Sequence, residues 1–283
     1  MTHVMACIDG SRASKAVCDY ASWASQRLEA PLTFLHVLDR TGYTSAANLS
    51  GSIGLGAQEA LLEELAALDE QRSRLALEQG RLMLEAAVER AINDGVKAPM
   101  MRQRHGDLAE TLAELENDIR LLVIGRQGEE GDQVGRHLGG HVERVIRTLH
   151  RPILITQQQY QAPSRIMLGF DASATTRKGV EMLAASLLFR GLPCHVVLVG
   201  ADTDDHRAQL DWASKTLEAA GHDAVTAIVA GEVETALREY QLKEQIDLMV
   251  IGAYGHSRIR QFFVGSTTNH MIMNAQVPLL VLR

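Results

Sequence analysis

Between Gly252 and Thr268 the chain gathers Gly255, His256, Arg258, Arg260, Gly265, Ser266, Thr267 and Thr268, residue types suited to holding phosphate. Glycine lets backbone N–H groups approach an anion with no Cβ in the way. Ser266 to Thr268 are expected where a helix begins, so that its unpaired N–H groups, its positive dipole end and the hydroxyls converge on the same oxygens. An ordinary βα turn also uses glycine, so residues elsewhere must decide between the two readings.

Bond-breaking chemistry is weakly represented. Gly255-His-Ser257 matches a nucleophile elbow for three residues but lacks its closing glycine. His137 and His141 have the spacing to share a metal on one helix face, but Gly139 and Gly140 between them weaken that geometry, and exposed histidines are the favoured reading. His256 is either a phosphate contact or a surface residue. No metal or catalytic residue is assigned. A phosphoester-binding sensor or adaptor is preferred to an enzyme, with slow Mg²⁺-dependent hydrolysis of a bound triphosphate as the alternative.

Composition narrows the setting. The 283 residues suffice for two domains, and 46% hydrophobic content with no membrane-length apolar run fits a globular, cytoplasmic protein. The N-terminal residues carry no export-signal pattern. Cys7, Cys18 and Cys194 lack metal spacing and read as free thiols. A formal net charge of −7 argues against nucleic acid as a partner.

The elements that must position the loop follow an alternating pattern. Residues 3–9 read as a buried strand ending at Asp9, Gly10 as a turn and Ser11 as a helix N-cap. Ala13, Ala16, Val17, Tyr20, Ala21, Ala24 and Leu28 then form one helical stripe, and Pro31 to Val37 the next strand. Strand, helix, strand with short links predicts a right-handed crossover and a parallel sheet. From Asp39 to Gly56 a polar, glycine-rich loop is expected, then a helix over about 57–93 too long for one small domain, which must bend, break or protrude. Leu61, Leu65, Leu68, Leu75 and Leu82 lie on a near-heptad row interrupted by Arg72 and Gln79. Either this row packs on a helix outside its own domain, making the protein a scaffold for a partner, or the helix simply lies on the surface with one core-facing side.

The second half repeats the first. Asp171, Val199, Gly231, Gly252, Gly255, Gly265 and Pro278 answer in order to Asp9, Val37, Gly106, Gly125, Gly128, Gly139 and Pro152. The interval Asp9 to Gly106 is longer than Asp171 to Gly231 by 37 residues (97 against 60), which places an insertion at about 40–75. Gln157 to Ser164 reads as a linker, dividing domains at 1–157 and 164–283. Each is expected to be a five-stranded doubly wound α/β sheet with ligands bound beyond the strands' carboxyl ends, where Asp171, Val199 and Gly252 converge.

The spacing G-x2-G-x9-G-S at Gly252, Gly255, Gly265 and Ser266 resembles the ATP-binding signature of the universal stress protein family, and the duplication resembles its tandem, two-domain type. That resemblance implies two Rossmann-like domains of the adenine nucleotide alpha hydrolase-like kind, packed as a pseudo-twofold dimer through their last strands. It implies an ATP, ADP or AMP ligand, with or without Mg²⁺, and a role in stress responses. Asp171 would take the adenine side, Val199 the base, Gly252 and Gly255 the ribose and phosphate loop, and Gly265, Ser266, Thr267 and Thr268 the phosphates. Ala172, Ala253, His256 and Arg258 are secondary candidates. So are Asp9, Val37, Gly125 and Gly128 of the first copy, which departs from the signature: ten residues separate Gly128 from Gly139, Gly140 replaces the serine, and Glu129, Glu130 and Asp132 stand in its loop. Weak or absent binding is expected there.

Overall fold

The computed structural model describes residues 2–38, 55–126, 140–252, 272 and 274–282. In the first half the elements are β1 (His3–Cys7), α1 (Ser14–Leu28), β2 (Leu32–Leu38), α2 (Leu55–Asn93), β3 (Met100–His105), α3 (Leu108–Glu114), β4 (Ile119–Gly125), α4 (Gly140–Thr148) and β5 (Ile153–Thr156). The second half contributes β6 (Ile166–Phe170), α5 (Ala174–Ala185), β7 (Cys194–Val199), α6 (Asp204–Ala219), β8 (Ala224–Val229), α7 (Val233–Lys243), β9 (Leu248–Gly252) and β10 (Leu279–Leu282).

All ten strands form one sheet in the order β3-β2-β1-β4-β5-β10-β9-β6-β7-β8. Within each half every pairing is parallel, and the halves meet where β5 and β10 pair antiparallel with Leu154 opposite Leu280. The sheet is thus a pseudo-twofold pair of 3-2-1-4-5 units, and the carboxyl edges of the two halves face opposite ends of the molecule. Apolar clusters on both faces run across the seam. One joins Val4, Val123 and Leu154 to Leu168, Val250 and Leu280. The other joins Met5, Leu122 and Ile155 to Met167, Met249 and Val281. The halves therefore share both cores.

The duplication is visible in the backbone. Gly106 and Gly231 have φ of 133° and 129°, a region that favours glycine, and each precedes a capped helix. Asp107 accepts from the Glu110 N–H and Glu232 from the Thr235 N–H, both at 3.0 Å. The predicted α1 stripe is buried throughout, from Ala13 to Leu28. The predicted Ser11 cap is not formed. Ser11 instead donates its hydroxyl to Asp9 at 2.5 Å, and α1 begins three residues later, behind Ala13, which has no side-chain cap.

The long helix is continuous and protrudes. Gly80, Leu84, Ala87 and Ala91 hold its C-terminal part to the sheet, and Arg90 donates to Asp19 of α1 at 2.9 Å. Gly80 is there for space, because a Cβ on it would collide with the His36 ring and the Gln103 amide. His36 and Gln103 lie near the carboxyl ends of β2 and β3, and α2 runs antiparallel to both strands. The Leu77 carbonyl still accepts from the Gln103 side chain at 3.2 Å, so the 22 residues N-terminal to Leu77, about 33 Å at about 1.5 Å per residue, run on toward and past that edge.

Candidate functional site: the carboxyl edge of the second half

In the second half β6 lies between β9 and β7, and the chain reverses its direction of progress across the sheet at β6 and β9. The β6–β7 ladder continues to Phe170 opposite Leu198, whereas the β6–β9 ladder stops at Leu168 opposite Val250. The last two residues of β6 and β9 are thus unpaired with one another, and the ladder ends at the topological switch point, where sheets of this class bind ligands. Asp171 follows β6, Val199 closes β7 and Gly252 closes β9, so the sheet brings these three predicted residues to one edge.

Hydrogen bonds to the start of α5 fix the orientation of Asp171. Its Oδ1 accepts from the Ser173 N–H at 3.0 Å and from the Thr176 hydroxyl at 2.7 Å. Ser173 in turn accepts the Thr176 N–H at 3.3 Å as the helix N-cap. A carboxylate beside a helix N-terminus is also stabilised by the helix dipole. Ala172, between them, has φ of 60°, a left-handed conformation uncommon for a residue with a Cβ, so the turn after β6 is strained.

Gly252 is buried against that same helix start. A Cβ there would lie 3.2 Å from Thr175 Cγ2 and 3.6 Å from Thr176 Cγ2, so its absence lets the first turn of α5 approach the end of β9. Val199 is half-buried and packs, like Val229 and Val233, against the apolar cluster that includes Val197 and Leu237, and the Gly200 N–H bonds the Val229 carbonyl at 2.9 Å. This gives the edge an apolar wall beside a fixed carboxylate. Ala253, Gly255, His256, Arg258, Gly265, Ser266, Thr267 and Thr268 lie outside the described residues.

The first half repeats the arrangement at the opposite end. The β1–β2 ladder reaches Cys7 opposite Leu35, but β1–β4 stops at Ala6 opposite Val123. Asp9 Oδ1 accepts from the Ser11 N–H and the Ser14 hydroxyl, both at 3.0 Å, as well as from the Ser11 hydroxyl. Val37 lies on β2 and Gly125 ends β4. Arg126, the next residue, crosses the seam to donate to the Ala275 carbonyl at 3.0 Å, where burial lowers its pKa. Gln157 donates to the same carbonyl at 2.9 Å and to that of Val277 at 3.0 Å. The start of this loop therefore ties the halves together. Gly128, His137 and Gly139 lie outside the described residues.

Thr175, Thr176 and Ser14 were not singled out in the sequence. The signal was present in the duplicated spacing Asp9-x-Ser11-x2-Ser14 and Asp171-x-Ser173-x2-Thr176, which marks the hydroxyl that anchors each carboxylate. Among the described residues no group of three His, Cys, Asp or Glu is arranged to hold a metal ion.

Fold and strand-end geometry define a tandem α/β protein of the doubly wound class, with a topological switch point at the carboxyl edge of each half. The sequence profile of the universal stress protein family matches residues 1–157 and 163–283. A universal stress protein of Synechocystis sp. is 34% identical over 287 residues, covering 100% of both chains. One of Mycolicibacterium smegmatis is 23% identical, covering 98% of this chain and 95% of its own. The crystal structure of a universal stress protein from Archaeoglobus fulgidus superposes with a TM-score of 0.70 at 18% identity, covering 99% of this chain and 96% of its own. The chain belongs to the universal stress protein family and is of its tandem two-domain type.

Proposed function

We propose that the chain binds an adenine nucleotide, ATP or its di- or monophosphate, at the carboxyl edge of its second half and acts as a nucleotide-responsive sensor or adaptor. The observation that carries this reading is the switch point where the β6–β9 ladder ends, with Asp171 fixed there by Ser173 and Thr176 and with Gly252 packed against the first turn of α5. A fixed carboxylate accepts hydrogen bonds from an adenine amino group or a ribose hydroxyl, and Val199 offers an apolar surface to the base. Gly252 and Gly255 present bare backbone to the ribose and the first phosphate. Gly265 with Ser266, Thr267 and Thr268 supplies donors to the remaining phosphates, assisted by Ala253, His256, Arg258 and the turn at Ala172.

The first half keeps Asp9, Val37, Gly125 and Gly128 but carries Glu129, Glu130 and Asp132 in the sequence segment that answers to the second half's phosphate loop. Those charges oppose binding unless a divalent cation or Arg136 intervenes. The domains, 1–157 and 164–283, accordingly serve as structural partner and ligand-binding unit.

Mass spectrometry of small molecules released from the purified full chain, with thermal unfolding in millimolar ATP, tests the assignment. An adenine nucleotide and a rise in Tm that disappears in Gly265→Val are expected. No shift in the unaltered chain would overturn the assignment.

A further inference from the structure

We propose that the protruding part of α2 is a self-association arm, pairing antiparallel with the same helix of a second copy. Leu68, Leu75 and Leu82 recur every seven residues and are 44%, 63% and 53% exposed. At about 100° per residue, this row lies roughly 150° around the helix from the face of Gly80, Leu84, Ala87 and Ala91 that packs on the sheet. The chain's own core therefore cannot cover it. Leu82 makes the point locally, because it is exposed at a level where the opposite side of the helix is buried.

Charge selects the occupant and its direction. Residues 61–71 contain four acidic residues and no basic one, whereas residues 72–82 contain Arg72, Arg74 and Arg81 with one acidic residue. An antiparallel overlay that sets Leu68 of one copy on Leu75 of the other places each acidic segment along a basic one. The same register brings Leu82 to the Leu61 position. Parallel, in-register pairing would put like charge on like. The ion pairs Arg72–Asp69 and Arg74–Glu70 lie within one helix and are exposed on both partners. Such pairs contribute only about 0.3–0.5 kcal/mol, so exchanging them between copies costs little. Association through the last strands is already satisfied within the chain, because β5 and β10 pair with each other and leave only β3 and β8 as sheet edges. Arg72 and Gln79 interrupt the apolar seam, which fits a reversible pair and fixes register.

Sedimentation equilibrium of the full chain tests this. A concentration-dependent rise from 31.0 kDa toward twice that mass is expected. Leu68→Glu/Leu75→Glu should remain at 31.0 kDa with an unchanged circular dichroism spectrum. Mixing Leu68→Cys with Leu75→Cys under mild oxidation should give the mixed disulfide in several-fold excess over either homodisulfide. A monomer across the micromolar range would overturn the proposal, leaving the row to a different protein. So would a dimer insensitive to the double glutamate variant, or preferential homodisulfides, which mean parallel pairing.

Discussion

The hydroxyl of Thr176 donates to Asp171 Oδ1 at 2.7 Å, joining the third residue of α5 to the carboxylate that follows β6. Ser14 makes the corresponding bond to Asp9 at 3.0 Å. Both carboxylates are thus oriented before any ligand arrives, and the halves differ less at the strand ends than in the sequences of the segments that follow.

Gly252→Ala should expose how closely α5 approaches β9. The new Cβ meets Thr175 Cγ2 at 3.2 Å, and relieving that contact requires the first helical turn to move. A loss of about 1–2 kcal/mol is expected in chemical denaturation, with at least a tenfold drop in nucleotide affinity. Thr175→Ser removes the opposing methyl and should recover much of both in the double variant. Recovery of neither would mean that Gly252 matters for another reason.

At Gly80 two effects compete. Alanine is the better helix former by about 1 kcal/mol, but its Cβ would collide with His36, whose ring is held by a 2.8 Å bond to the Ile8 carbonyl. Overpacking costs about 1–3 kcal/mol, so Gly80→Ala should be net destabilising. Gly80→Ala with His36→Ala should be less so. A stabilised single variant in a urea titration would contradict the packing described for α2.

The sequence made these strands legible because buried parallel strands are short apolar runs and each half repeats the other's landmarks. Gly106 and Gly231 show why the landmarks are shared: both turns need the same left-handed backbone. Ser11 was misread because an N-cap and an Asx-turn serine look alike in sequence; the carboxylate of Asp9 took its hydroxyl. Asp171, Val199 and Gly252 were legible as strand ends, but the anchoring role of Thr176 depends on a turn geometry that periodicity does not encode. Length alone required α2 to bend, break or protrude; which of these it does, and where it leaves the sheet, depends on the fit of Gly80 against His36.

Asp247 should matter for stability and not for ligand. It is 7% exposed, at the amino end of β9, and accepts from the Ser164 N–H at 2.9 Å, the Ser164 hydroxyl at 2.5 Å and the Arg165 N–H at 2.9 Å. Asp247→Ala leaves those donors unpaired at the junction between the halves. About 2–4 kcal/mol should be lost, read by guanidinium unfolding, with ATP affinity within twofold of the parent chain.

Stability should fall in alkaline solution through the thiols. Burial pushes Cys18 and Cys194 from an ordinary value of 9.0 up to about 12, with Asp19 adding to the shift at Cys18. Above pH 9 the unfolded chain releases these protons while the folded chain retains them until about pH 12. The folded state therefore loses relative stability across that window. Unfolding midpoints should decline more steeply above pH 9 for the parent than for Cys18→Ala/Cys194→Ala. Equal slopes would contradict the assignment.

The most direct measurement of the central claim is isothermal titration of the full chain with ATP, alone and as Asp171→Ala and Asp9→Ala. One nucleotide per chain is predicted, with affinity falling at least tenfold in Asp171→Ala and changing less than twofold in Asp9→Ala. Two equivalent sites, or binding that survives Asp171→Ala and is lost in Asp9→Ala, would contradict a single functional site in the second half.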